Sequence, residues 1–313
     1  MQKKICAAAA GGILALTTIL GTAGAANAAS TTITTHENLN WAGYLAQTGN
    51  TPTQVNGSYV QPKVTCAKGE SSSVGFWVGV TDRTGGGTVA QDGTSGFCYK
   101  GVARYYLWWE AVGRSSAQGG GDPVPVWNTN QNGVSIAPPV CNNSPKFTGT
   151  RTPTLKQLAF LVDNKCLTPI KSRYHINLSV GVTPRSYAYF FAYITQTSFE
   201  LNTSQTFSDV VAGGSEWVAE TQFFGKGLSD FGKFAFSDCY VYTGTANTRG
   251  EPISHFNDLK MILIYDVKKV LGVIVSYKTA ASPGPLTAPI SFSNGKEDGF
   301  SVTWQNRGLP VIA

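Results

Sequence analysis

Four tryptophan-centred segments carry the side chains best suited to chemistry: Asn40-Trp41-Ala42-Gly43, Phe76-Trp77-Val78-Gly79-Val80, Tyr105-Tyr106-Leu107-Trp108-Trp109-Glu110 and Gly214-Ser215-Glu216-Trp217-Val218-Ala219-Glu220. Between the second and third lies Val89-Ala90-Gln91-Asp92-Gly93. In a strand, side chains alternate between faces. Tyr106, Trp108 and Glu110 then share one face, with Tyr105, Leu107 and Trp109 on the other. Likewise Glu216, Val218 and Glu220 share a face opposite Trp217. Carboxylates set among aromatics on one sheet face can form the wall of a substrate groove. A glutamate, with a reference pKa of about 4.3, stays ionised in acid where an imidazole, at about 6.5, is already protonated and useless as a base. The same pattern also suits a sandwich whose tryptophans fill the core and whose glutamates meet solvent. Gln91 is open to two readings of its own, a site amide or a turn residue ahead of Asp92-Gly93.

Other hydrolytic signatures are missing. Gly93 precedes Ser95 at the spacing of a nucleophile elbow, but Gly96 and Phe97 follow it, and no HExxH occurs. His36, His175 and His255 stand without a motif, and no glycine-rich phosphate loop opens a helix. Charged residues make up 13% of the chain and the +6 net charge is scattered, so a nucleic-acid partner is not expected. So few charges also limit self-repulsion of the compact state in acid.

The elements that must position these residues read as strands. Short runs rich in Val, Tyr, Phe, Trp and Thr, such as Gly57–Val64, Val74–Val80, Val102–Val112, His175–Val182 and Tyr187–Thr195, are punctuated by 35 glycines and 15 prolines. Met261–Tyr265, Val270–Tyr277 and Phe300–Trp304 continue the series. This predicts an all-β fold, a two-sheet antiparallel β-sandwich or a barrel. One helical period occurs over Leu155–Val162, within a Pro-, Asn- and Gly-rich insertion at about 114–171.

Lys3 and Lys4, the apolar run from Ile5 to about Leu20, and Ala26-Asn27-Ala28 read as a secretory signal over residues 1–28, leaving a single domain over 29–313. The run is too rich in Ala, Gly and Thr for a membrane anchor, so a secreted, extracellular protein is expected, with no membrane partner. Cys66 and Cys98 flank one hairpin and Cys141 and Cys166 bracket one polar segment, which predicts two disulfides and leaves Cys239 over.

Taken in order, NWAG, WVG, AQ-x-G, WWE, SEW-x-x-E and Phe231-Gly232-Lys233-Phe234-Ala235-Phe236 resemble the glutamic peptidases, the eqolisin family, over Asn40 to Phe236. The resemblance implies a concanavalin A-like jelly roll and a secreted, acid-acting endopeptidase on protein or peptide substrates, monomeric, with no metal or cofactor. It implies that Gln91 and Glu220 are catalytic: Glu220 as the base that activates water, Gln91 as the donor to the oxyanion. It also implies that Trp41, Trp77 and Glu110 line the substrate groove. Thr81 stands where the family pattern has Asp, with Asp82 one place on, which admits a bulge. Tyr106, Val112 and Thr221 replace Asp, Tyr and Asp of the pattern, so substrate preference does not transfer. Asn40 follows the signal too closely to leave room for an activation propeptide, a resemblance to the bacterial branch. Glu110 and Glu220 would equally serve a glycosidase, and a lectin-like binding module is the non-enzymatic alternative.

Overall fold

Branched and aromatic residues pack well on a pleated surface, and the segments rich in them become strands. The computed structural model describes residues 32–38, 41–47, 52–82, 88–111, 122–130, 132–147, 152–183, 187–206, 212–221, 227–243, 250–253, 256, 258–270, 273–283, 299–305 and 307. The leader read over residues 1–28, Val112 and His255 lie outside them, as does part of the insertion. In chain order the strands are β1 (Thr32–Asn38), β2 (Trp41–Gln47), β3 (Pro52–Val60), β4 (Ser72–Asp82), β5 (Thr88–Tyr99), β6 (Val102–Ala111), β7 (Val124–Pro125), β8 (His175–Val182), β9 (Tyr187–Ile194), β10 (Phe199–Thr206), β11 (Ala212–Glu220), β12 (Lys233–Thr243), β13 (Glu251–Pro252), β14 (Asp258–Val270), β15 (Val273–Pro283) and β16 (Phe300–Trp304). Helix α1 (Leu155–Asp163) lies between β7 and β8.

Two layers face each other. One has the order β2-β11-β4-β5-β6-β7 and the other β10-β9-β8-β3-β12. Strands β16, β15 and β14 bridge them, so the hydrogen-bonded path is continuous. The all-β antiparallel sandwich read from the sequence is the observed fold, except that β1 runs parallel to β14. Between the layers lies the main core, with Tyr44, Val78, Trp217, Val180 and Phe190 among its buried members. Trp217 ties the layers together: its indole N–H donates to Asn56 O at 2.7 Å. Gly57 leaves the room, since a Cβ there would lie 2.9 Å from Trp217 Cδ1.

A second cluster lies on the outer face of the β2–β6 layer. Leu155, Leu158, Ala159 and Leu161 of α1 pack with Phe97, Tyr106 and Trp108, and the Cys141–Cys166 disulfide joins the same cluster. The apolar stripe takes in Leu161, whereas Val162, expected from the 3.6-residue period, is only half-buried. Thr154 and Gln157 form a capping box that starts the helix. A bidentate pair, Arg104 Nε to Asp163 Oδ1 at 2.7 Å and Nη2 to Oδ2 at 2.8 Å, clamps its end to β6. The insertion therefore walls one side of the sheet face. Both disulfides have the pairing expected from the sequence, and Cys239 is buried on β12.

Candidate active site

The β5–β6 hairpin fixes the first pair of site residues. Its two-residue turn has Lys100 at φ 54° and Gly101 at φ 79°. Positive φ at both central positions is the type I′ geometry, which matches the strand twist and sets the register. Gly101 also packs closely, for a Cβ there would lie 2.9 Å from Ala67 O. With Tyr99 opposite Val102, counting back along both strands puts Gln91 opposite Glu110. Gln91 Nε2 donates to Glu110 Oε2 at 2.5 Å. Gln91-Asp92-Gly93 is thus the middle of a strand, not the turn that Asp-Gly suggested.

The β11–β4–β5 register adds the rest. Glu216, Gly79 and Gln91 form one rung with Glu110, Val218, Trp77, Gly93 and Trp108 the next of like parity, and Trp41, Glu220, Gly75 and Ser95 the third. Successive like-parity rungs project to one face, so Gln91, Glu110, Trp77, Trp41 and Glu220 all stand on the same side of the sheet. The alternation read from the sequence in both glutamate-bearing strands is observed. Glycines flatten the floor between the large side chains. A Cβ on Gly79 would come within 3.0 Å of Trp77 Cζ3 and 3.2 Å of Gln91 Cβ.

Glu220 is held by two indoles: Trp41 Nε1 donates to Oε1 at 3.0 Å and Trp77 Nε1 to Oε2 at 2.9 Å. The two rings meet edge to face, with centroids 5.5 Å apart. Trp77 is fully buried and belongs to the outer cluster, while Trp41 and Glu220 remain partly accessible. Trp77 therefore packs as core and serves the site through its N–H.

Glu110 sits deeper than a groove wall would, at 6% exposure, as does Gln91. Burial pushes its carboxyl up to about 7; the Gln91 hydrogen bond opposes this, and the charges of Glu220 and Asp122 add to it. That mutual influence of Glu110 and Glu220 marks them as members of one electrostatic site. Two neighbours were not singled out as site members in the sequence: Trp108, whose buried Nε1 has no partner, and Glu216, buried on the rung of Gln91. Strand parity was their only signal. Gln91 Oε1 is likewise buried without a partner. Tyr106 lies fully buried beneath the insertion. At Thr81 the β4–β5 ladder shifts register, the bulge that the displaced Asp82 allowed. Among the described residues no group of three or more His, Cys, Asp or Glu could hold a metal ion, and no helix is long and apolar enough to cross a membrane.

A carboxylate clasped by two N–H donors, sharing a sheet face with a second, protonatable carboxyl and an amide donor, has the groups that a hydrolysis can use as base, acid and oxyanion donor. Residues 39–132, which include Trp41, Trp77, Gln91 and Glu110, match the Peptidase A4 family. No curated protein matches the chain. The fold is similar to that of Scytalido-glutamic peptidase, solved with a peptide-based transition state analog, at TM-score 0.51 and 13% identity over 86% of this chain and 99% of that one. It is similar also to SCP-B, a member of the eqolisin family of peptidases solved with the tripeptide Ala-Ile-His, at TM-score 0.50 and 13% identity over the same shares. Over residues 39–132 the chain is thus similar to the Peptidase A4 family, its fold is similar to that of the glutamic peptidases, and the glycosidase and lectin readings are not favoured. Glu220 lies beyond the matched residues and is joined to them by the β11–β4 register.

Proposed function

We propose that the protein is a secreted endopeptidase that cleaves proteins in acid, with Glu220 as base and Gln91 as oxyanion donor. The observation that carries the reading is the pair of indole N–H bonds to Glu220. Hydrogen bonds to a carboxylate favour its charged form, so this glutamate is equipped to stay a base in acid. Glu110, pushed up to about 7, holds its proton there. Environments that separate two carboxyls in this way divide acid and base roles between them.

Glu220 takes a proton from water as the water oxygen bonds to the peptide carbonyl carbon. One N–H of Gln91 is committed to Glu110, and the other is left for the negative oxygen of the tetrahedral intermediate. Such a donor typically lowers the barrier by about 3–4 kcal/mol. Glu220 then returns the proton to the nitrogen as the C–N bond breaks, and the base is regenerated. Trp41 and Trp77 orient the base, and Glu110 orients the amide. The two disulfides suit an oxidising compartment, which with the leader sequence supports secretion.

Digestion of an unfolded protein across pH, with a chelator in excess, tests the reading. Internal cleavage that rises in acid and ignores the chelator is expected. Cleavage confined to neutral pH, or abolished by the chelator, would contradict it.

A further inference from the structure

Asp92 follows Gln91 on β5, and strand alternation turns its carboxyl the other way, into the space between the layers. It is fully buried. On its own sheet it stands between Val78 and Trp109, and Trp109 stacks on Phe190 of the opposite layer with centroids 5.0 Å apart. Neither carboxyl oxygen has a partner at full hydrogen-bond geometry, and the nearby Phe191 backbone favours its charged form only weakly against burial.

The groups that face it offer no counter-charge. Strands β4, β8 and β9 present apolar side chains to this interior. Strand β3 presents Tyr59, whose hydroxyl lies 2.9 Å from Phe76 O and 2.7 Å from Thr94 Oγ1. Strand β6 presents Tyr105, whose hydroxyl accepts from Val64 N at 2.8 Å, and Tyr44 of β2 shares the core. Glu110 and Glu216 are on the far face of the sheet. No Lys, Arg or His is buried among the described residues. A carboxylate taken from water with no cation and only one backbone group to favour its charge is so unfavourable that the group stays protonated instead. Burial accordingly holds the Asp92 carboxyl well above the usual range.

We propose that Asp92 is a pH latch: neutral in acid, it lets the two layers close behind Gln91, and its ionisation as pH rises loosens that packing and disables the site. The effect on proteolysis rests on the catalytic reading of Gln91, whereas the latch itself is a property of the fold. Its sign follows from linkage. The folded state binds the Asp92 proton more tightly than the unfolded chain does, so the stabilisation is complete below the unfolded aspartate value of about 3.9 and is lost as pH climbs towards and through the folded value.

Thermal unfolding of the protein and of Asp92→Asn from about pH 3 to about pH 8 tests this; Asn keeps the shape and cannot ionise. The wild-type midpoint should fall by about 2–3 °C for each pH unit in which Asp92 is neutral when folded and charged when unfolded. Asp92→Asn should lose most of that fall. Glu110→Gln, measured in parallel, removes the contribution of the other raised carboxyl. Asp92→Ser carries the same expectation if Asn is not accommodated. A wild-type midpoint that holds steady up to about pH 8, or a non-ionisable variant with the wild-type slope, would overturn the latch. No substrate enters the measurement, so its failure leaves the peptidase mechanism standing, and an inactive protein with an Asp92-dependent slope would refute only the mechanism.

Discussion

Replacing Trp77 by Phe removes one of the two donors to Glu220 and leaves a ring in the cluster formed with Phe97, Tyr106 and Trp108. Hydrogen bonds to charged groups contribute about 1.5–3 kcal/mol, and one pH unit corresponds to 1.36 kcal/mol. Losing the 2.9 Å bond from Trp77 Nε1 to Oε2 disfavours the carboxylate relative to the acid by that amount. The acid limb of kcat/KM should therefore move up by about 1–2 pH units. At the lowest pH the variant should be slower by about 10- to 100-fold, and near the top of the active range it should recover most of its activity. The assay is hydrolysis of one internally quenched peptide over a series of buffers, with near-ultraviolet circular dichroism to show that packing survives. Trp41→Phe, which removes the 3.0 Å bond to Oε1, should shift the same limb. Two folded variants with wild-type acid limbs would mean that the indoles do not keep Glu220 charged.

Three further outcomes follow from the site. Glu110→Gln should retain much of its acid activity, because Gln mimics the protonated carboxyl and still accepts from Gln91, whereas Glu110→Ala frees that amide and should fall by about 10-fold or more in kcat; equal losses would refute the positioning role. Gly79→Ala should fold but lose at least about 10-fold in kcat, since the new methyl presses on Trp77 and Gln91 together, and unaltered kinetics would show that neither side chain needs its present place. Replacing Cys141 and Cys166 by Ser opens a loop of separation 25 and should cost about 3.5 kcal/mol on the chain-entropy model, read as a lower denaturation midpoint, with a loosened wall over the sheet face; an unchanged midpoint would refute it.

The parts legible in the sequence were those with local periodicity. Ser215 to Glu220 reads as one strand, so the face shared by Glu216, Val218 and Glu220 follows from strand parity, and α1 declared itself by its period. Trp77 was harder, because burial and service to the site are alternatives in a sequence but coexist in the structure: its ring is core and its N–H is not. Asp92-Gly93 looked like a turn because composition alone cannot tell a turn from a strand whose glycine makes room for Trp77. The true turn, Lys100-Gly101, lacks the Asn-Gly or Asp-Gly signal, although it sets the Gln91–Glu110 register. The packing of the insertion on the outer sheet face depends on contacts between α1 and the distant β5 and β6, which no local pattern encodes. Strand β10, FELNTSQT, is largely polar and lies at the sheet edge, so it gave no signal at all.

The central claim is that Glu220 is the base. Glu220→Gln keeps the shape of the side chain and can still accept from an indole at its remaining oxygen, but it cannot take a proton from water. Cleavage of an unfolded protein in acid by this variant, with Glu110→Gln alongside, is the most direct measurement. Turnover by folded Glu220→Gln should fall by at least about 10²- to 10⁴-fold while Glu110→Gln keeps much of its activity. A folded Glu220→Gln that still cleaves at close to the wild-type rate, or a Glu110→Gln that does not cleave at all, would show that the base is a different carboxyl.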